Sequence, residues 1–138
     1  MEKINVGFIG AGQISELHAL GYEDNPTGQL VALADANPKV AEQSAKAYGL
    51  TRWYPDYHEL LADPQIEAVE ILLPHHLHLQ VTLDALKAGK HVSLQKPMAL
   101  TLDEADQMIT AADQANTLFR VFENFRTYDP YMRAKAMM

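Results

Sequence analysis

Residues 4–15, Ile-Asn-Val-Gly-Phe-Ile-Gly-Ala-Gly-Gln-Ile-Ser, place a short apolar strand, a glycine turn and the start of a helix in immediate succession. Few folds accept that order. Gly10 permits the tight turn out of the strand, and Gly12 has no side chain to keep a ligand from the backbone. Ser15 is the third small position, usually Gly or Ala, where the helix must lie close to the strand. Gln13 and Ile14 occupy the opening helical turn, whose free N–H groups and positive dipole attract an anion. The segment therefore reads as Gly-x-Gly-x-x-Ser at a pyrophosphate site, the signature of dinucleotide binding.

A second apolar run, Leu30-Val31-Ala32-Leu33-Ala34, ends in Asp35, twenty residues beyond Ser15. A carboxylate at that offset lies at the tip of the second strand, where it can accept hydrogen bonds from ribose hydroxyls. Its charge repels a 2′-phosphate, so the pair of motifs points to NAD rather than NADP. Asp35 could also serve as a turn acid before Asn37-Pro38.

The rest of the chain keeps alternating between the two periodicities. Apolar runs of strand length are separated by segments with apolar residues three and four apart. Helices are expected from about Ile14 to Tyr22, from Pro38 to Tyr48, from Tyr57 to Ala62, from Leu77 to Ala88 and from Thr101 to Asn116. Strands are expected at Thr51–Tyr54, Glu67–Leu73, Lys90–Leu94 and Leu118–Phe122. Gly49 and Gly89 follow helices as stops, Pro38 suits a first helical turn, and Thr101 with Glu104 forms a capping box. Strict alternation predicts an α/β fold: a doubly wound, mainly parallel six-stranded Rossmann sheet with helices on both faces. Residues 1–125 form the dinucleotide-binding domain on this reading. Residues 126–138 look like the start of a connecting helix toward a second, α+β domain for substrate and oligomerisation.

Composition narrows the partners. With 138 residues the chain can bury a sizeable core, and its formal net charge of −7 disfavours nucleic acid and anionic membrane. There is no cysteine, so thiolate metal sites and disulfides are excluded. The N-terminus lacks a signal-peptide pattern and no 18-residue apolar run occurs, which points to a soluble, cytoplasmic protein. His75, His76 and His78 crowd one loop, but their spacing is poor for a shared ion and no carboxylate adjoins them, so no metal site is expected. His18, on the first helix, reads as a packing or surface histidine.

From Glu67 onward the pattern becomes more specific. Gly89-Lys90-His91-Val92, a short strand, then Gln95-Lys96-Pro97 resembles the Gfo/Idh/MocA oxidoreductases, nicotinamide-dependent dehydrogenases of sugars, cyclitols and their derivatives. Glu123-Asn124-Phe125-Arg126, with Tyr128 and Pro130, is also similar to that family. The resemblance covers essentially the whole chain. It implies that Lys96 is catalytic and that the loop at Leu73 and Pro74, with His78, contacts the cofactor alongside Gln95 and Lys96. It also implies a sugar-like substrate, and a homo-oligomer built through the second domain. Gln95 stands where the family usually has Glu, and an amide can hydrogen-bond but cannot form an ion pair.

The chemistry of Lys96 is readable without the family. It follows a parallel strand, at the edge where open α/β sheets bind ligands. When a hydride leaves a carbinol, the hydroxyl proton must also leave, and a lysine amine can take or relay it. Asn124 could hydrogen-bond the nicotinamide end or the substrate, or serve as a turn residue. Two other uses of the fold stay open at this level. One is a non-enzymatic NAD-sensing module, the other a different Rossmann-like activity such as methyl transfer, and neither needs Lys96.

Overall fold

The computed structural model describes residues 3–123 and 129–137. Six strands alternate with helices: β1 Ile4–Ile9, β2 Gly28–Ala34, β3 Arg52–Tyr54, β4 Ala68–Ile71, β5 His91–Gln95 and β6 Phe119–Phe122. The helices are α1 Gln13–Glu23, α2 Pro38–Ala47, α3 Tyr57–Ala62, α4 His78–Lys87, α5 Leu102–Gln114 and α6 Asp129–Ala136. All five strand pairings are parallel, in the order β3-β2-β1-β4-β5-β6. The order reverses between β1 and β4, so the loops after these two strands diverge and open a crevice at their carboxyl ends.

Side-chain alternation builds a core on each face. Ile9, Ala32, Ala34, Val69, Ile71, Val92 and Leu94 point to the face covered by α3, α4 and α5, where Leu60, Val81, Ala85 and Met108 fill the space. Val6, Phe8, Leu33 and Leu72 point the other way, against Ala41 and Ala45 of α2 and Ala19 and Tyr22 of α1. Alternation also puts Glu70 of β4, Ser93 and Gln95 of β5, and Phe122 of β6 on this second face, beyond the main cover of the first two helices. This face accordingly turns from apolar to polar between β1 and β5.

The ends of elements follow local chemistry. Asn37 caps α2, accepting from the Lys39 N–H, with Pro38 at the first helical position. Thr101 caps α5 by accepting from the Glu104 N–H at 3.2 Å. The Glu104 carboxylate reaches back to the Leu100 N–H, one residue before the partner that the capping box prescribes. Strand β4 stops at Ile71, short of the expected Leu73, and residues His75–Leu77 form a single 3-10 turn before α4. The Leu73 carbonyl is instead bound by an imidazole nitrogen of His78.

Lys90 is held inside the fold. Its ammonium donates to the carbonyls of Asp63 at 2.9 Å and Ile66 at 2.8 Å, tying the β5 entry to the turn between α3 and β4. Burial pushes the Lys90 ammonium below its usual range, and the nearby Asp63 carboxylate opposes that shift. Lys90→Met keeps the aliphatic bulk but leaves both carbonyls without a donor. It should lower unfolding free energy by about 1–3 kcal/mol in urea denaturation. An unchanged denaturation midpoint would contradict this role.

Candidate dinucleotide site

The turn between β1 and α1 is fixed by its neighbours on both sides. Gly10 has φ +101°, a region L side chains rarely adopt, and a Cβ there would lie 2.6 Å from the Leu72 carbonyl oxygen of the β4 end. Its N–H donates to the Ala34 carbonyl at 2.8 Å. The next N–H, of Ala11, donates to Asp35 Oδ2 at 3.0 Å. Asp35 Oδ1 accepts from the Asn37 N–H at 2.9 Å. The carboxylate is thus the turn acid before α2 and also a brace on the glycine loop. Its orientation is set before any ligand arrives, and each oxygen keeps a lone pair for a hydroxyl.

Gly12 is different. It has extended backbone, and a Cβ added there meets no heavy atom within 4 Å. Gly10 is demanded by the protein; the space at Gly12 is left for something else. No side chain caps α1, so the N–H groups at Gln13 and Ile14 face the same opening. Ser15 is fully buried, its hydroxyl bonded to the Gly12 carbonyl at 2.6 Å and to the Tyr48 hydroxyl at 2.8 Å. A small third residue is therefore required by the packing of α1 against the end of α2. An open loop, an uncapped helix start and an adjacent fixed carboxylate fit the pyrophosphate and ribose of a dinucleotide.

Two clefts flank this loop and share Leu73. One, of about 320 Å³, is lined by Gly10, Asp35, Ala36, Pro55, Tyr57 and Leu77. The other, of about 670 Å³, runs past Ile14, His18, Glu70, His75, Gln95, Lys96 and Phe122. Both lie at the strand-order reversal. A third cleft of about 680 Å³, with Lys3, Glu16 and Gln29 on its walls, sits at the amino ends of the strands, where such sheets do not bind nucleotides.

Lys96 is exposed just past the end of β5, in the second cleft, which Leu73 also lines. Gln95 orients the backbone there, its Oε1 accepting from the Lys96 N–H at 2.8 Å. Pro74 opens the turn that precedes α4. His78 is fully buried. Its Nδ1 lies 2.9 Å from the Pro97 carbonyl and its Nε2 2.9 Å from the Leu73 carbonyl. That ring offers no surface to a ligand, so the direct cofactor contact expected of it gives way to a brace between the Leu73 loop and the Lys96-Pro97 loop. Asn124 lies outside the described residues. Among the described residues, no group of three or more His, Cys, Asp or Glu side chains is placed to hold a metal. No described helix is long and apolar enough to cross a membrane.

The structure joins His18, which by sequence is a packing or surface histidine, to two residues with no role assigned from the sequence. His18 Nδ1 lies 2.8 Å from Glu70 Oε1, and the Tyr22 hydroxyl donates to Glu70 Oε2 at 3.2 Å. Burial first, then the Glu70 charge and the hydrogen bond to it, hold the Tyr22 phenol well above its ordinary range, so it stays a donor. The available signal was Glu70 itself: a single acid amid the apolar run Ala68–Leu73 must find partners when its strand is buried.

These features are those of a Rossmann domain shaped to take a dinucleotide. The chain belongs to the GFO_IDH_MocA family, described as an oxidoreductase family with the NAD-binding Rossmann fold, which matches residues 4–123. It is 34% identical over 134 residues to levoglucosan dehydrogenase of Pseudarthrobacter phenanthrenivorans, covering 91% of this chain and 34% of that protein. It is 30% identical to myo-inositol 2-dehydrogenase of Thermotoga maritima, covering 83% of this chain and 34% of that protein. A crystal structure of scyllo-inositol dehydrogenase from Lactobacillus casei, with NAD(H) and scyllo-inositol bound, superimposes with a TM-score of 0.91 at 28% identity. That match spans 99% of this chain and 41% of the other. The chain thus spans about a third of the length of the curated relatives it matches.

The two glycines should separate in experiment. Gly10→Ala forces both a strained φ and a backbone clash, and should lower the melting temperature and remove NAD binding together. Gly12→Ala should leave the melting temperature within about 2 °C, yet weaken NAD binding at least about tenfold by filling the approach to the phosphates. If Gly12→Ala binds NAD normally, the pyrophosphate is not held there. NAD should also bind more tightly than NADP. Setting a 2′-phosphate beside the fixed, partly solvated Asp35 carboxylate costs roughly 1–3 kcal/mol, about 5- to 150-fold in Kd. Calorimetry with both nucleotides decides this, and equal or tighter NADP binding is the contrary result.

Proposed function

We propose that this chain is the cofactor-binding part of an NAD-dependent dehydrogenase that passes hydride between the nicotinamide and a carbon of a sugar, cyclitol or related polyol. The observation that carries the reading is the pair of clefts meeting at Leu73, one ending at Asp35 and the other at Lys96. A molecule made of two nucleotides joined by a pyrophosphate needs such a layout. Asp35 receives the adenosine ribose, and Gly10, Gly12, Gln13 and Ile14 receive the pyrophosphate. Leu73, Pro74 and Gln95 shape the nicotinamide end, with His78 behind them as a brace. When bound, NAD supplies the hydride acceptor.

The protein's own contribution to the reaction centres on Lys96. It lines the second cleft as an exposed residue just past a strand end, with its main chain held by Gln95. From there its amine hydrogen-bonds the substrate oxygen and takes the hydroxyl proton as the carbonyl forms. The choice of a polyol-type substrate rests on the relatives, whose names include levoglucosan, myo-inositol and D-apiose dehydrogenases. The relatives extend well beyond the matched segment, and the remaining wall of the substrate site is assigned to that further portion, together with the contacts of a homo-oligomer. A cytoplasmic setting suits a dehydrogenase that draws on the soluble NAD pool.

Lys96→Ala in the intact enzyme should reduce turnover by at least about 10²-fold, the usual scale for losing an acid–base group. Its NAD affinity should stay within about twofold, because the adenosine and pyrophosphate contacts are elsewhere. Stopped-flow hydride-transfer rates and NAD fluorescence titrations read the two quantities separately. Normal turnover in Lys96→Ala would remove the catalytic assignment.

A further inference from the structure

A directed chain of hydrogen bonds runs from the backbone of Lys96 to the middle of the sheet. The Lys96 N–H can only donate, so the Gln95 atom 2.8 Å from it must be the carbonyl oxygen, Oε1. That fixes the other end of the side chain as the NH₂ group, 3.1 Å from His18 Nε2. An NH₂ group can only donate, so His18 Nε2 must be an unprotonated acceptor. The imidazole proton then sits on Nδ1 and points at Glu70 Oε1, 2.8 Å away. Tyr22 donates to the other Glu70 oxygen. Every donor in the series meets an acceptor, in one sense only.

The surroundings support a fixed ring. The His18 and Glu70 side chains are 11% and 7% exposed, and Phe122 of β6 meets the imidazole edge-on with centroids 5.5 Å apart. His18 meets Glu70 from β4, Gln95 from β5 and Phe122 from β6, and shares its cleft with Tyr22 on its own helix, Lys96 just past β5 and His75 before α4. A doubly protonated His18 would set N–H against NH₂ at Gln95. Turning the amide over only moves the conflict to the Lys96 N–H. The neutral amide and the neutral, Nδ1-protonated imidazole are therefore matched to each other.

We propose that His18 is a positioning residue for Lys96. It holds the Gln95 amide in the one orientation that fixes the main chain of the lysine, and it can do so only as the neutral Nδ1–H tautomer. The catalytic part of this proposal rests on the assignment of Lys96; the tautomer does not. A glutamate at position 95 would accept at both ends of its side chain, would require a proton on His18 Nε2, and would reverse the link between positions 95 and 18.

The test has two arms. The first is ¹⁵N NMR of the histidine-labelled protein, with His18 assigned through His18→Gln. A proton on Nδ1 and a bare Nε2 at pH 7 are expected in the wild type, and a proton on both nitrogens in Gln95→Glu. An Nε2–H tautomer, an imidazolium in the wild type, or an unaltered ring in Gln95→Glu overturns the chain. The second arm is turnover in the intact enzyme. His18→Phe keeps an aromatic ring but loses the acceptor, and should lower kcat about tenfold with NAD affinity within twofold. In His18→Gln the side-chain oxygen replaces Nε2 as acceptor, which should restore most of that loss. Equal loss in both variants, or no loss in either while Lys96→Ala is inactive, overturns the positioning role. An active Lys96→Ala would instead overturn the proposed function and leave the tautomer result standing.

Discussion

The close approach of the Gly10 turn to the end of β4 is the contact on which the site depends. With no Cβ at this position, the chain leaves β1 at φ +101° and passes directly over the Leu72 carbonyl. That path brings the Gly10 N–H to Ala34 and the Ala11 N–H to Asp35, so the ends of β1, β2 and β4 are joined through a single turn. Move the turn outward by the width of a methyl group and both bonds lengthen. The start of α1 then no longer aims at the crevice where the strand order reverses.

Around that turn the two faces of the sheet divide the work. The face under α3, α4 and α5 is apolar from Ile9 across to Leu94 and supplies most of the burial that holds the fold together. The other face is apolar only under α1 and α2. Farther across it carries Glu70 and Gln95, and the polar chain they form with His18 and Tyr22 backs the cleft that contains Lys96. Burying a carboxylate at the centre of a parallel sheet is costly unless its oxygens are satisfied, and here each oxygen has a donor.

Much of this was legible in the sequence. Apolar runs of strand length, alternating with segments whose apolar residues lie three and four apart, foretell the parallel α/β sheet, and the spacing of Gly10, Gly12, Ser15 and Asp35 marks the turn after β1 to which we assign the cofactor, because these features depend on neighbours close in the chain. What escaped depends on contacts between distant segments. His18 meets Glu70 across 52 positions and Gln95 across 77, and nothing on α1 alone distinguishes that ring from a surface histidine. The burial of His78 is likewise invisible in the local pattern, because it depends on the Leu73 and Pro97 carbonyls that its ring lies between. Nor does an apolar run that continues to Leu73 reveal that β4 ends at Ile71, where a carbonyl leaves the ladder for a side chain.

On the proposed function one dinucleotide spans both clefts, passing over the glycine turn. Backbone amide NMR of the protein titrated with NAD tests this most directly. The largest shift changes are expected at Gly10 to Ile14, at Asp35 and Ala36, and at Leu73 and Lys96, all saturating with a single binding constant. Changes confined to one cleft, or centred on Lys3, Glu16 and Gln29 at the opposite end of the sheet, would contradict it.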